Sequence, residues 1–340
     1  MRKMLSALVA MTFSILAGQG LAQRAAAQDY PWKPDRPITL VVPWAAGGST
    51  DQMARIVATE IESELKQKVV VVNQPGASGS VGTKGVLEGA KDGYTWAAGA
   101  AVDIGGYKVL GLLDSELKDW NLFFAVANVN TVSANPNTPF KDFGQFLDHL
   151  KKNGKNVPVA TAGLSSAGHN MMETIRKSAP GVEYRHVTYD GGNPAVLSAV
   201  SGETQAAAQL LVEMSEFIKG KRLIPLAVQS DKPVMLEGYG EIPPATKWLP
   251  GMPAPLNYFG IWVPKGTPEP VVQTMNMIWK KIANSEALKK YAAARAALFT
   301  PISGDEAEKE AMKMVTQTVW LYFDAGKAKV SPETIGIARP

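Results

Sequence analysis

The feature that most constrains the fold is a repeated order of strand, glycine-rich loop and helix. An apolar run at 38–42 is followed by a loop at 44–48 and by a segment at 50–66 whose apolar residues fall at helical spacing. Residues 69–72 are four consecutive valines, which is typical of a buried parallel strand, and a second glycine-rich loop follows at 73–80. Repeated units of this kind predict an α/β fold with mainly parallel sheets flanked by helices.

The pattern occurs twice in the chain, which predicts two lobes. After a stretch at 128–140 that is rich in Asn, Pro and Thr, the same order of strand, loop and helix returns at 156–178. A proline- and glycine-rich stretch at 230–255 reads as a return connection. We therefore expect lobe 1 to comprise 28–127 plus 229–340, and lobe 2 to comprise 128–228.

The first 27 residues have the pattern of a cleaved signal peptide. Arg2 and Lys3 precede an apolar run at 4–17, and small residues allow cleavage after Ala22 or Ala27. The chain has 35 basic and 31 acidic residues, and three of the basic residues lie in this segment. The mature protein is then close to neutral, is exported to the periplasm and has no basic surface that would predict nucleic-acid binding.

The residue counts exclude several kinds of site. The chain has no cysteine and only three histidines, so disulfides, thiolate metal sites, iron–sulfur clusters and thiol catalysis are excluded, and a histidine metal site is not expected. No cofactor is expected either, because neither a phosphate-binding G-x-x-x-x-G-K-[ST] pattern nor G-x-G-x-x-G is present.

Three loops, at 44–50, 76–80 and 163–169, each follow a predicted strand and precede a predicted helix. Ligands of open α/β sheets bind at the carboxyl ends of the strands, where helix N-termini present free N–H groups and a partial positive charge. Ser49, with Gln52 three residues later, also matches a capping box. Ordinary βα turns would have the same composition, but their recurrence in both halves of the chain favours an anion-binding cleft.

A serine hydrolase is the alternative that these loops leave open. The run at 163–168 misses the G-x-S-x-G nucleophile elbow by one residue. Ser165 or Ser166 could act as a nucleophile with His169, although no acid that would orient the histidine is evident from the sequence.

Several segments resemble the substrate-binding proteins of tripartite tricarboxylate transporters, the Bug or TctC-like family. The most specific is Val41-Val42-Pro43-Trp44-Ala45-Ala46-Gly47-Gly48-Ser49-Thr50-Asp51, and further matches lie at 34–38, 72–79, 92–95, 161–169, 189–195 and 263–268. The resemblance implies a two-lobed periplasmic binding protein of type II, with a ligand cleft between the lobes. It also implies a small organic acid as ligand, membrane transporter subunits as partners, a monomeric state and no enzymatic activity.

The resemblance also implies which residues bind the ligand, through backbone and hydroxyl donors. Lobe 1 would contribute Trp44, Ala45, Gly47, Gly48, Ser49, Thr50 and Asp51, with Gly76 and Ser78 as neighbours. Lobe 2 would contribute Ser165, Ser166, His169, Tyr189 and Gly191.

Some positions depart from the family pattern. Trp44 replaces a smaller aromatic residue, Leu164 a glycine, Asp190 a frequent Lys or Arg, and Gln205 a frequent Asp. Asp190 motivates the hypothesis that the ligand is less highly charged than citrate. A sensory protein of the same fold, which would report its ligand state to a membrane receptor, is a further alternative.

Overall fold

Two β-sheets organise the chain in the computed structural model, which describes residues 29–340. Residues 31–340 form one structural unit. The predicted signal peptide at 1–27 lies outside the described residues.

The first sheet has six strands in the order β13-β4-β12-β3-β1-β2. Its strands are β1 (Ile38–Val42), β2 (Val69–Asn73), β3 (Thr95–Ala100), β4 (Trp120–Asn128), β12 (Asn257–Pro264) and β13 (Leu298–Ser303). β1 pairs in parallel with β2 and β3, whereas β12 runs antiparallel to β3 and β4, and β13 runs antiparallel to β4.

The second sheet has five strands in the order β7-β6-β8-β5-β9. Its strands are β5 (Asn130–Ala134), β6 (Pro158–Thr161), β7 (Arg185–Thr188), β8 (Ala206–Leu210) and β9 (Ile224–Val228). β6 pairs in parallel with β7 and β8, and β5 runs antiparallel to β8 and β9. A separate hairpin is formed by β10 (Val234–Leu236) and β11 (Gly240–Ile242).

Ten α-helices lie within residues 29–340 and flank the two sheets. They are α1 (Ser49–Leu65), α2 (Ser80–Glu88), α3 (Ala101–Leu110), α4 (Phe143–Asn153), α5 (Ala167–Ser178), α6 (Gly192–Ser201), α7 (Leu211–Lys219), α8 (Glu269–Ile282), α9 (Glu286–Ala294) and α10 (Gly304–Asp324). In this described part of the chain, no helix combines the length and apolarity that a membrane crossing requires.

The two-sheet α/β architecture agrees with the sequence, but both sheets are mixed rather than mainly parallel. β4 and β5 are separated by Val129 alone, so the chain passes almost directly from one sheet into the other. The predicted crossover at 128–140 therefore contains a strand. β5 lies antiparallel in the second sheet, and β12, which follows the return connection, lies antiparallel in the first. The local residue pattern predicts strands but not these antiparallel directions, which depend on how the chain passes between the two sheets.

Each sheet has its own apolar core. Buried Trp120 and Trp262 pack edge to face in the core of the six-stranded sheet. Phe140, Phe143 and Phe146 form an aromatic cluster under the five-stranded sheet. Full burial of one such side chain contributes about 1.5–3 kcal/mol, so each core gives its sheet a rigid base for the loops at the strand ends.

Candidate functional site

Five helix N-termini converge on one cavity between the two sheets. The first residues of α1, α3, α5, α6 and α7, or the residues that cap them, line a space of about 30 Å³. The full lining is Trp44, Gly48, Ser49, Thr50, Ala100, Asp103, Ala162, Ser166, Ala167, Gly192, Gln209, Leu210, Glu213 and Phe259. Each helix N-terminus carries about half a positive charge, so their convergence places positive potential at this cavity.

The loops on the two sides of the cavity face each other and are in contact. The N–H of Ala45 donates to the carbonyl of Asp190 over 2.9 Å. On the other flank, Ser78 Oγ accepts from the N–H of Leu164 (2.9 Å), and Ser165 Oγ donates to the Ser78 carbonyl (3.0 Å). The cavity that remains has room for about two water molecules, so a larger ligand enters only when these loops separate.

The Glu213 carboxylate lies at the centre of this arrangement. Its Oε1 accepts the N–H of Ser49 over 2.8 Å, at the start of α1. A Cβ added to Gly192, at the start of α6, would lie 2.1 Å from the same oxygen. Glu213 itself belongs to the first turn of α7. One side-chain carboxylate therefore faces three helix N-termini.

The environment of Glu213 leaves one acceptor unused. Its Oε2 is buried and has no hydrogen-bond partner among the residues that the structure describes. Burial raises the pKa of the Glu213 carboxyl above its usual value, and the hydrogen bond from the N–H of Ser49 opposes this shift. The site thus holds an acceptor that a ligand donor could pair with.

Asp103 is a second buried acid on the same cavity. Its Oδ2 accepts from Trp44 Nε1 and from the N–H of Ala100, both over 3.3 Å. Burial raises the pKa of Asp103 to about 8, so the carboxyl is mainly protonated at neutral pH. The cavity lining within 29–340 contains neither Lys nor Arg, so its positive potential comes from helix ends and not from cationic side chains.

Asp51 supports the first loop from beneath and does not line the cavity. Its carboxylate accepts from the N–H of Gly47 (3.0 Å), from Arg55 (2.8 and 3.1 Å) and from Asn73 Nδ2 (3.0 Å). Burial alone would raise the pKa of Asp51, but these hydrogen bonds hold it below its usual value. Gly47 has φ +82°, a conformation that glycine adopts without strain, and its bond to Asp51 holds the loop in this shape.

The capping box predicted for Ser49 and Gln52 does not form. The N-cap of α1 is Gly48, without a side-chain capping bond, and Gln52 Nε2 instead donates to the Gly47 carbonyl over 2.7 Å. The Ser49 N–H at the helix start is satisfied by Glu213 from the other side of the cavity.

In the second loop, Ser166 caps α5. Its Oγ accepts the N–H of His169 over 3.3 Å and donates to the Gly163 carbonyl over 2.7 Å. The imidazole of His169 contacts Lys327 Nζ (3.1 Å) and Tyr184 Oη (3.4 Å) rather than a serine hydroxyl. The pair required by the hydrolase alternative is therefore not assembled in this conformation.

The structure brings most of the predicted site residues to the cavity or to its rim. The lining includes Trp44, Gly48, Ser49, Thr50 and Ser166, and the contacting loops around it hold Ala45, Gly47, Asp51, Ser78, Ser165 and Gly191. Gly76 is the residue before the short 3₁₀ turn Ala77–Gly79 and is outside the lining.

Two predicted residues lie elsewhere. His169 is buried in a polar cluster with Glu173, Tyr184, His186 and Lys327. The hydroxyl of Tyr189 donates to Glu203 at the surface over 2.8 Å. Neither side chain is in the cavity lining.

The sequence interpretation missed Asp103, Gln209, Glu213 and Phe259. Asp103 and Glu213 follow strands that continue into helices without a glycine-rich loop, so no loop marks these junctions. The available signal was an acid in the first turn of a helix that begins directly at a strand end, as in both cases. Within 29–340, no group of three or more metal-ligating side chains is assembled.

The fold is that of solved periplasmic binding proteins. A solved structure of the periplasmic binding protein BugD covers 87% of this chain and 99% of its own, at 24% identity and a TM-score of 0.80. An R. palustris protein solved with adipate (21% identity, TM-score 0.78) and MatC from Rhodopseudomonas palustris with bound malate (22%, 0.76) each cover 86% of the chain and 98% and 99% of their own.

The chain belongs to the tripartite tricarboxylate transporter receptor family, TctC, whose family model matches residues 53–320. It is similar to a UPF0065 protein of Pseudomonas sp. strain P51 encoded between tcbD and tcbE (32% identity, covering 81% of this chain and 84% of that protein). It is also similar to BugT of Bordetella pertussis (29%, covering 87% and 89%). The family resemblance seen in the sequence is confirmed, and the protein is a solute-binding protein of this family.

Proposed function

We propose that this protein captures a small organic carboxylate in the cleft and delivers it, unchanged, to the membrane subunits of a tripartite transporter. It acts as a periplasmic monomer whose two lobes, 28–127 plus 229–340 and 128–228, close on the ligand. The observation that carries the proposal is the convergence of five helix N-termini on one cavity between the sheets.

Electrostatics supports an anionic ligand. The N-terminus of α5 carries no acidic residue in its first turn, so its partial positive charge is not compensated locally, whereas the Glu213 carboxylate lies against the start of α6. A hydrogen bond to a charged group contributes about 1.5–3 kcal/mol, and three or four such bonds account for the roughly 8 kcal/mol of a micromolar complex. The related folds solved with adipate and malate agree with this ligand class.

The connections between the sheets support hinge opening. The chain passes between them at Val129 and again between β9 and β12. Two such connections allow the halves to rotate apart. This rotation is needed for ligand entry, because the loops are in contact and the cavity between them is small.

Gly48→Val tests the proposal. Gly48 has φ −73° and ψ 173°, which valine adopts without strain, but a Cβ there would lie 3.2 Å from Glu213 Oε1 and would intrude on the cleft. Gly85→Val is the matched control, because Gly85 is exposed in α2 and a Cβ there meets nothing within 4 Å.

Binding is measured by calorimetry with the straight-chain diacids from malonate to adipate and with their monoamides. At least one of these compounds should bind to the wild type and to Gly85→Val. Gly48→Val should bind it at least ten times more weakly while remaining folded by circular dichroism. Equal affinity in a folded Gly48→Val variant would contradict the assignment of this cleft.

A further inference from the structure

Glu213 places a carboxylate of the protein itself in the position where the cleft is best suited to an anion. Its Oε1 is held by the N–H of Ser49 over 2.8 Å and lies against Gly192 at the start of α6. A ligand carboxylate in this position would have to displace Glu213 or share the position with another negative charge.

Capping of its own helix does not by itself explain this arrangement. An acid in the first turn of a helix can cap it by accepting the N–H of the residue before the helix, which is Leu210 here, and one oxygen is enough for such a bond. Glu213 also accepts from Ser49 on the other side of the cavity, and its buried Oε2 has no partner among residues 29–340. Because Glu213 lines the cavity, this unpartnered acceptor offers a bonding position to a donor that enters the cavity.

The start of α5 has the reverse character. α5 and α7 pack on opposite faces of the five-stranded sheet. α5 begins at Ala167 after its cap Ser166, both residues line the cavity, and the first turn of the helix has no acid. This N-terminus can accept a ligand carboxylate without competition from the protein. The two ends of the cleft therefore differ: one end suits an anion, and the other suits a hydrogen-bond donor.

We propose that Glu213 is a specificity-determining residue that selects monocarboxylates with an amide or ammonium group at the far end and rejects dicarboxylates. The ligand carboxylate lies at the N-terminus of α5, and its N–H donor pairs with Oε2 of Glu213. This inference rests on the proposed function and names the class of acid that the same cleft takes.

The test compares each diacid from malonate to adipate with its monoamide, which has the same carbon chain and nearly the same shape. Calorimetry is carried out on the wild type, on Glu213→Gln and on Glu216→Gln. Gln keeps the size of Glu213 and an oxygen that can accept from Ser49. Glu216 is exposed on the same helix and pairs with Lys219 at the surface, so its variant is the matched control.

We expect the wild type and Glu216→Gln to bind the best monoamide at least ten times more tightly than the matching diacid. Glu213→Gln should reduce this preference at least tenfold, mainly through tighter diacid binding. An unchanged preference in Glu213→Gln, or a wild type that prefers the diacid, would overturn this inference and leave the proposed function standing. If none of the three proteins bound any of these compounds, the proposed function would fail as well.

Discussion

The backbone N–H of Ser49 donates to Oε1 of Glu213 over 2.8 Å, and this bond connects helices that pack on different sheets. Hydrogen bonds to charged groups contribute about 1.5–3 kcal/mol. The closed cleft is therefore stabilised by a carboxylate of the protein itself, at the helix end where a ligand anion would otherwise bind. Closure of this cleft and its choice of ligand depend on the same side chain.

The histidine cluster predicts a loss of stability in mild acid. Burial lowers the pKa of His186 to about 4 and that of His169 well below its ordinary 6.5. The unfolded chain then binds more protons than the folded protein between about pH 6.5 and 4, so stability falls as the pH decreases through this window.

His186→Gln should remove part of this pH dependence, about 1–3 kcal/mol between pH 7 and 4, because glutamine can still bond Thr161 Oγ1 but does not titrate. Urea unfolding at a series of pH values measures the effect. His149→Gln, on α4, is the control. A His186→Gln variant whose stability has the same slope as the wild type would contradict this reading of the cluster.

Asp103 predicts the opposite pH dependence. Its pKa is raised to about 8 in the folded protein, so between about pH 4 and 8 the folded state holds a proton that the unfolded state has lost. Its contribution to stability therefore decreases as the pH rises through this window. Asp103→Asn lacks this proton linkage and keeps an oxygen that can accept from Trp44 Nε1.

Relative to the wild type, Asp103→Asn should become progressively more stable from pH 5 to pH 8, by at least about 1 kcal/mol. Chemical denaturation of both proteins at each pH measures the difference. A stability difference that does not change with pH would show that Asp103 is ionised in the folded protein.

Ser166→Ala separates a structural role from a catalytic one. The variant loses the N-cap bond to His169 and should lower the free energy of unfolding by about 0.5–2 kcal/mol. Turnover of activated esters should stay at the background level in both proteins, because the imidazole of His169 contacts Lys327 and Tyr184. Ester hydrolysis by the wild type that Ser166→Ala abolishes would favour the hydrolase alternative instead.

The elements next to the glycine-rich loops could be predicted closely from the sequence. β1 was predicted at its observed bounds, and α1 was predicted one residue late at each end. Apolar periodicity and glycine are local signals, and the facing loops at Gly48 and Ser166 were identified from them. The direction of β12 could not be predicted, since the chain between β4 and β12 passes through the other sheet.

The parts of the site that were missed depend on tertiary packing. Glu213 looks like an ordinary helical acid until α7 is packed against the start of α1. His169 follows the Ser166 cap by three residues, and only the packing of Lys327 and Tyr184 shows that its ring is buried away from the cavity. Spacing within one helix places a residue on a face, but the neighbours of that face come from distant segments.

A disulfide that can be formed and reduced across the cleft tests most directly the central claim that the ligand binds in this cleft. A Cβ built on Gly47 would lie 3.8 Å from Cβ of Asn193, within the range of a disulfide, and the chain has no cysteine to compete. The strain that a cysteine meets at Gly47, where φ is +82°, is present in both redox states. The double variant Gly47→Cys, Asn193→Cys is titrated in its oxidised and in its reduced form with the compound that binds the wild type most tightly among the diacids from malonate to adipate and their monoamides. The same variant in its two redox states controls for any effect of the substitutions themselves. Binding that disappears on oxidation and returns on reduction is the predicted result, whereas equal binding in both states would place the ligand outside this cleft.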